Sequence, residues 1–142
     1  MNDKKKKVLL VDDNEIVRMM FSNIFWLHGL DDKYELAAIN NIAKANFLIE
    51  SPETRPDIVF MGLVMPFEKN GKIETSAEAG FSFLRALKGN PEYAHIRVVI
   101  FSSYDDEEYR VQALALGAEK YLKKGDNMPQ DIIEVIRSFD AP

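Results

Sequence analysis

Short, wholly apolar runs alternate along this chain with stretches in which apolar residues recur every three or four positions. Val8-Leu9-Leu10-Val11 is the first run, and a parallel strand covered on both faces requires such an uninterrupted tetrad. From Asn14 the period lengthens. Ile16, Met19, Met20, Ile24 and Leu27 share one helical stripe, and Gly29 follows as a stop. Val17, Phe21, Phe25 and Trp26 lie beside that stripe, giving this helix more apolar surface than one buried face needs. Tyr34 to Ile39 reads as a second strand, and Ile42 to Ile49 as a short helix closed by Ser51-Pro52. Asp57 to Met61 predicts a third strand and Val98 to Phe101 a fourth, with a helix marked by Phe81, Leu84 and Leu87 between them. Glu107 to Leu116 is helical and stops at Gly117, and Tyr121-Leu122 is a brief fifth strand. Asp131 to Phe139 closes the chain as a helix on Ile132, Val135, Ile136 and Phe139. Five strand–helix units in succession imply one α/β domain over residues 1–142, a doubly wound five-stranded parallel sheet with helices on both faces.

One segment breaks the alternation. Residues 67–78, from Phe67 to Glu78, are polar and turn-rich, and they read as an extended loop after the third strand. A loop of that length is either a plain surface excursion or a lid or partner contact beside the strand ends.

Composition narrows the class. With 46% hydrophobic and 29% charged residues the chain is globular rather than disordered. No apolar stretch approaches the roughly 20 residues that span a bilayer, so no membrane contact is expected. The basic start at residues 1–7 leads into only four apolar residues, too few for a signal peptide, and a cytoplasmic protein is expected. Its Lys4–Lys7 run reads as a solvated tail. Zero cysteines remove disulfides and thiolate chemistry, and a net charge of −5 counts against broad nucleic-acid binding.

In an open parallel sheet, ligands bind beyond the carboxyl ends of the strands. The residues there are Asp12-Asp13 after the first strand, Gly62 after the third, Ser102-Ser103 after the fourth and Lys123-Lys124 after the fifth. Adjacent acids at a strand end repel each other and resist burial, a cost that a hard divalent cation relieves by taking their oxygens. A lysine on the same rim supplies a compact positive charge suited to a phosphoryl group, and a serine hydroxyl can hydrogen-bond its oxygens. Asp12, Asp13, Ser102 and Lys124 together read as an acidic, phosphate-directed pocket.

These segments resemble the response-regulator receiver domain of two-component signalling, as in a stand-alone CheY-like protein. Val8 to Asn14 is similar to the family's first strand and acidic pair, and Pro56 to Met61 with Leu63-Val64-Met65-Pro66 to its third strand and Met-Pro turn. Val99 to Ser103 resembles the fourth strand with its Thr/Ser, and Gly117 to Lys124 the fifth with an aromatic switch residue, Tyr121, and the lysine, Lys124. The resemblance covers essentially the whole chain. It implies a flavodoxin-like strand order 2-1-3-4-5 and a signalling module rather than an enzyme. It also implies partners, a histidine kinase or phosphotransfer protein and a downstream protein target, within a phosphorelay. Ser102 and Tyr121 would be the switch pair, with Tyr104 and Tyr109 nearby, and the first helix a docking face.

Three departures qualify that expectation. The family's phosphoacceptor aspartate aligns with Gly62, and no acyl phosphate forms without a carboxylate nucleophile. Mg²⁺ is then left with Asp13, Asp12 through water and the Val64 carbonyl, so weak or absent binding is expected. The family's proline after the lysine is Gly125, which puts the cis peptide expected there in doubt. The 67–78 stretch exceeds the family's tight turn, and Glu68 and Glu74 on it read as solvated acids. Gly62 reads equally as the mark of a natural, phosphorylation-independent pseudo-receiver and as an introduced Asp→Gly change.

Other classes fit poorly. A haloacid-dehalogenase-type phosphatase needs a second Asp two residues after the first, where Asp12 has Asn14 and Asp13 has Glu15. A flavin-binding phosphate loop would not carry Asp12-Asp13-Asn14-Glu15, and nucleotide P-loops and Gly-x-Gly-x-x-Gly patterns are absent. His28 and His95 stand alone without ligand spacing.

Overall fold

The computed structural model describes residues 5–103, 106–125 and 129–140, with side chains throughout except those of Phe67, Glu68, Lys69 and Glu74. The start of the basic tail, Tyr104, and the carboxylates of Glu68 and Glu74 lie outside the described residues. Among the described residues, seven strands and five α-helices follow in the order β1 (Lys6–Val11), α1 (Glu15–Leu27), β2 (Tyr34–Ile39), α2 (Ile42–Glu50), β3 (Ile58–Met61), β4 (Met65–Lys69), β5 (Lys72–Ser76), α3 (Ala77–Gly89), β6 (Arg97–Ser102), α4 (Glu107–Ala115), β7 (Lys120–Lys123) and α5 (Pro129–Ser138).

The main sheet has the order β2-β1-β3-β6-β7, all parallel. With the two extra strands set aside, this is the expected 2-1-3-4-5 order. The apolar tetrads Val8–Val11 and Ile58–Met61 are fully buried because layers cover both faces of the sheet. One core layer gathers Leu9, Val11, Met61, Phe81, Leu84, Ile100 and Tyr121, and the other Val8, Leu10, Phe21, Phe25, Phe60, Phe101 and Ile132. Burial of aliphatic and aromatic side chains on this scale, at about 1.5–3 kcal/mol each, is what offsets the ordering entropy of the chain.

Three expectations are corrected. β1 begins at Lys6, so Lys6 and Lys7 belong to the sheet rather than to a solvated tail. The Lys7 amide donates to Asp57 Oδ2 at 2.8 Å, and Lys6 pairs with Asp140. On α1 the stripe that packs is Val17, Phe21, Ile24 and Phe25, while Ile16, Met19 and Leu27 are 76%, 57% and 67% exposed. The sheet selects the phenyl side: Phe21 sits edge-to-face on Phe60 and on Phe101, at centroid distances of 5.2 and 5.7 Å.

The third correction concerns residues 67–78. They are not a loop but most of an antiparallel hairpin, in which β4 and β5 pair from Met65↔Ser76 to Lys69↔Lys72. Asn70 (φ 54) and Gly71 (φ 78) form its two-residue turn, the left-handed pair that a primed turn demands. The peptide bonds are all trans among the described residues, including the one after Lys124.

Candidate functional site

The carboxyl ends of β1, β3, β6 and β7 meet at one rim. Asp12, directly after β1, is 1% exposed, a large burden for a carboxylate unless it is compensated. Its backbone amide donates to the Ile39 carbonyl at 3.0 Å, and the Gly62 amide donates to the Val11 carbonyl at 3.0 Å. The ladder therefore continues one residue beyond the strands, and both positions are held rigidly. Asp12 Oδ1 accepts from the Asn14 amide at 2.9 Å, and Asn14 Oδ1 in turn caps α1 by accepting from the Ile16 and Val17 amides at 2.8 and 3.3 Å. Arg18, one turn into α1, donates from its guanidinium to the Asp12 carbonyl at 2.8 Å.

Lys124 completes the cluster. Its amide donates to the Ser102 carbonyl at 2.7 Å, which fixes the residue after β7 against the end of β6. Its ammonium reaches back to stand 2.7 Å from Asp12 Oδ2, passing 5.8 Å from the Phe101 ring centroid. Oδ2 has this ion pair but no hydrogen-bond donor, so it is compensated by charge. The side chain of Ser102 is buried.

Gly62 faces the same point. A Cβ placed on it lies 3.5 Å from Asp12 Oδ2 and 3.6 and 3.7 Å from Met65 Cγ and Sδ, which is ordinary contact. Its φ is not among the positive ones. Neither backbone conformation nor crowding requires glycine here, and a side chain at 62 would extend into the Asp12–Lys124 cluster.

The remaining candidates are less tightly drawn together. Asp13 is exposed, and Val64 is half-buried in the β3–β4 turn. Tyr121 is 5% exposed in the core, with the Arg110 guanidinium 5.3 Å over its ring. Among the described residues no group of three or more Asp, Glu, His or Cys could hold a metal ion. Asp12, the buried acid, has one cation on a carboxylate oxygen and another on its carbonyl. The residues present therefore do not fit a tight divalent site. Sequence reasoning missed Asn14 and Arg18 as parts of this rim; their spacing of four residues, starting at a helix N-cap, was the available clue.

A family model described as the response regulator receiver domain matches residues 8–137. The chain is 27% identical over 139 residues to the uncharacterized transcriptional regulatory protein YxjL of Bacillus subtilis (strain 168), covering 97% of this chain and 56% of that protein. It is 30% identical over 125 residues to the oxygen regulatory protein NreC of Staphylococcus haemolyticus (strain JCSC1435), covering 88% and 50%. It thus spans about half the length of the curated relatives it matches. Among solved structures it is similar to a CheY-like receiver domain protein from Methanospirillum hungatei JF-1, with a TM-score of 0.76, 19% identity and coverage of 96% and 94%. The Mn(2+)-bound form of response regulator Rcp1 is similar with a TM-score of 0.73, 22% identity and coverage of 94% and 93%.

Proposed function

The chain belongs to the response regulator receiver domain family, and on that premise we propose that it is a receiver of a two-component phosphorelay that signals by protein–protein contact, its pocket complete but for the phosphoacceptor at Gly62. The observation that supports this reading is Gly62. It occupies the end of β3, its Cβ direction points at Asp12 Oδ2, and it offers no nucleophile. Asp12, Ser102 and Lys124 remain around that gap, so the pocket keeps the receiver's charge pattern without its acceptor. Its partners are a histidine kinase or phosphotransfer protein of a phosphorelay and a downstream protein target, reached in the cytoplasm. Mg²⁺ binds weakly or not at all, because only Asp12, Asp13 and the Val64 carbonyl are left to hold it.

The ion pair between Lys124 and Asp12 favours a second reading, a pseudo-receiver whose contacts need no phosphorylation. One experiment separates these possibilities. The intact mass of this chain and of Gly62→Asp is measured after incubation with acetyl phosphate and Mg²⁺. In Gly62→Asp the introduced carboxylate attacks phosphorus and displaces acetate, and a labile phosphoryl mass on that variant alone is the expected result. Gain on neither protein assigns the pocket to the pseudo-receiver reading. Gain on the unaltered chain refutes the proposal.

A further inference from the structure

Asp12 poses a problem of charge that the proposed function leaves open. Its carboxylate is 1% exposed, and a buried carboxylate needs a positive partner. Where an acidic strand-end pocket takes a divalent cation, the ion supplies that charge and draws on several oxygens at about 2.0–2.1 Å. Here the partner is covalent. Lys124 Nζ stands 2.7 Å from Oδ2, the carboxylate oxygen that has no hydrogen bond, while Oδ1 is taken by the Asn14 amide. Arg18 adds a guanidinium at 2.8 Å from the carbonyl of the same residue. A divalent ion approaching Asp12 would have to displace the ammonium and sit beside the guanidinium.

We propose that Lys124 is the resident counter-ion of this pocket, standing on the carboxylate oxygen that a divalent cation would otherwise take, so that the domain holds its strand-end rim without metal. The inference rests on the reading of a pocket without an acceptor, since a third carboxylate at position 62 would compete with Asp12 for Lys124. Gly62 and Lys124 then act as one arrangement: the absence of a negative charge at 62 leaves the lysine to neutralise Asp12. The lysine side chain remains about one-fifth exposed, so its stem reaches the pocket from the rim rather than from the core.

Thermal unfolding of the full chain tests this, in metal-free buffer and with increasing MgCl₂, against NaCl of equal ionic strength as the screening control. The unaltered chain is expected to respond to MgCl₂ no more than to NaCl. Lys124→Met leaves a buried carboxylate alone and is expected to lower the midpoint by on the order of 10 °C, with saturable recovery on adding Mg²⁺. Asp12→Asn removes the need for a cation, so adding Lys124→Met to it is expected to shift the midpoint little. Saturable stabilisation of the unaltered chain by Mg²⁺ overturns the proposal, and so does a Lys124→Met variant as stable as the parent. If Lys124→Met does not fold, the Asp12→Asn/Lys124→Met pair decides: a folded double variant supports the counter-ion role and an unfolded one overturns it. No phosphodonor and no change at Gly62 enters these measurements, so they fail independently of the phosphorylation test.

Discussion

Gly80→Ala sets two known effects against each other on α3. Alanine in place of glycine inside a helix gains about 1 kcal/mol of helix propensity. At Gly80, however, the added Cβ would lie 2.5 Å from the Leu63 carbonyl oxygen and 3.0 Å from both Leu63 Cα and Cδ1. Carbon–oxygen contacts ordinarily begin at about 3.3 Å, so the helix and the β3–β4 turn must separate by roughly 0.8 Å. The obstacle is backbone, which no rotamer change relieves, and one extra methyl group in such a place typically costs about 1–3 kcal/mol, occasionally more. We expect the packing loss to prevail by roughly 2 kcal/mol, or about 8 °C in the midpoint for a chain of this size. Gly89, the last residue of the same helix, has nothing within 4 Å of its added Cβ, so Gly89→Ala isolates the propensity gain. Urea and thermal unfolding followed by far-ultraviolet circular dichroism read both variants. Opposite signs are predicted, and a Gly80→Ala chain as stable as Gly89→Ala would refute the packing argument.

Gly62→Ala should leave stability within about 1 kcal/mol of the parent, on the stabilising side, because its Cβ meets only ordinary contacts and its φ is not positive; a large loss in urea unfolding would mean that glycine is required at the end of β3. Gly71→Ala forces a methyl-bearing residue to φ 78 and should weaken the hairpin by about 1–2 kcal/mol, read as faster amide exchange in β4 and β5 with the main sheet unchanged. Asp140 accepts hydrogen bonds from Lys6 and Tyr34; burial pushes its pKa up, but these two donors and the nearby positive charges together hold it below the ordinary value. A lowered carboxyl pKa stabilises the fold above the unfolded value of 3.8 and that stability is lost as pH falls further, so Asp140→Asn should flatten the acid limb of the stability profile below about pH 4. Burial first, and then Asp140, raise the Tyr34 hydroxyl well above its ordinary value of 10.0. Stability should therefore fall as pH rises past about 10, where the unfolded tyrosine ionises, and Tyr34→Phe should remove that component.

The parallel sheet was legible because its strands are buried on both faces and bounded by turn residues; Tyr34–Ile39 was read to its exact limits. The hairpin was not, because among the described side chains of β4 and β5 only Met65 is buried, and the sequence there carries no regular apolar alternation. Asn70-Gly71 was nevertheless present, and in a two-residue connection that dipeptide is a strong hairpin signature. On α1, two apolar stripes run side by side, and periodicity cannot choose between them. Only the neighbouring phenyl rings of Phe60 and Phe101 decide in favour of Phe21. At the rim, Asp12, Gly62, Ser102 and Lys124 were found from their places after strands. The direct Lys124–Asp12 pairing was not, since it depends on how far a flexible four-carbon stem reaches across the sheet.

The β4–β5 hairpin pairs its two strands with each other rather than with the main sheet, and it is anchored to the body of the domain through the buried Leu63, Met65 and Ala77. Its tip at Asn70-Gly71 is exposed, and none of the five parallel strands depends on it for register. For an engineer this is the natural graft site. A peptide epitope or a small reporter inserted between Asn70 and Gly71 would extend outward from a two-stranded stalk, close in sequence to the Gly62 rim, while the fold beneath stays the same.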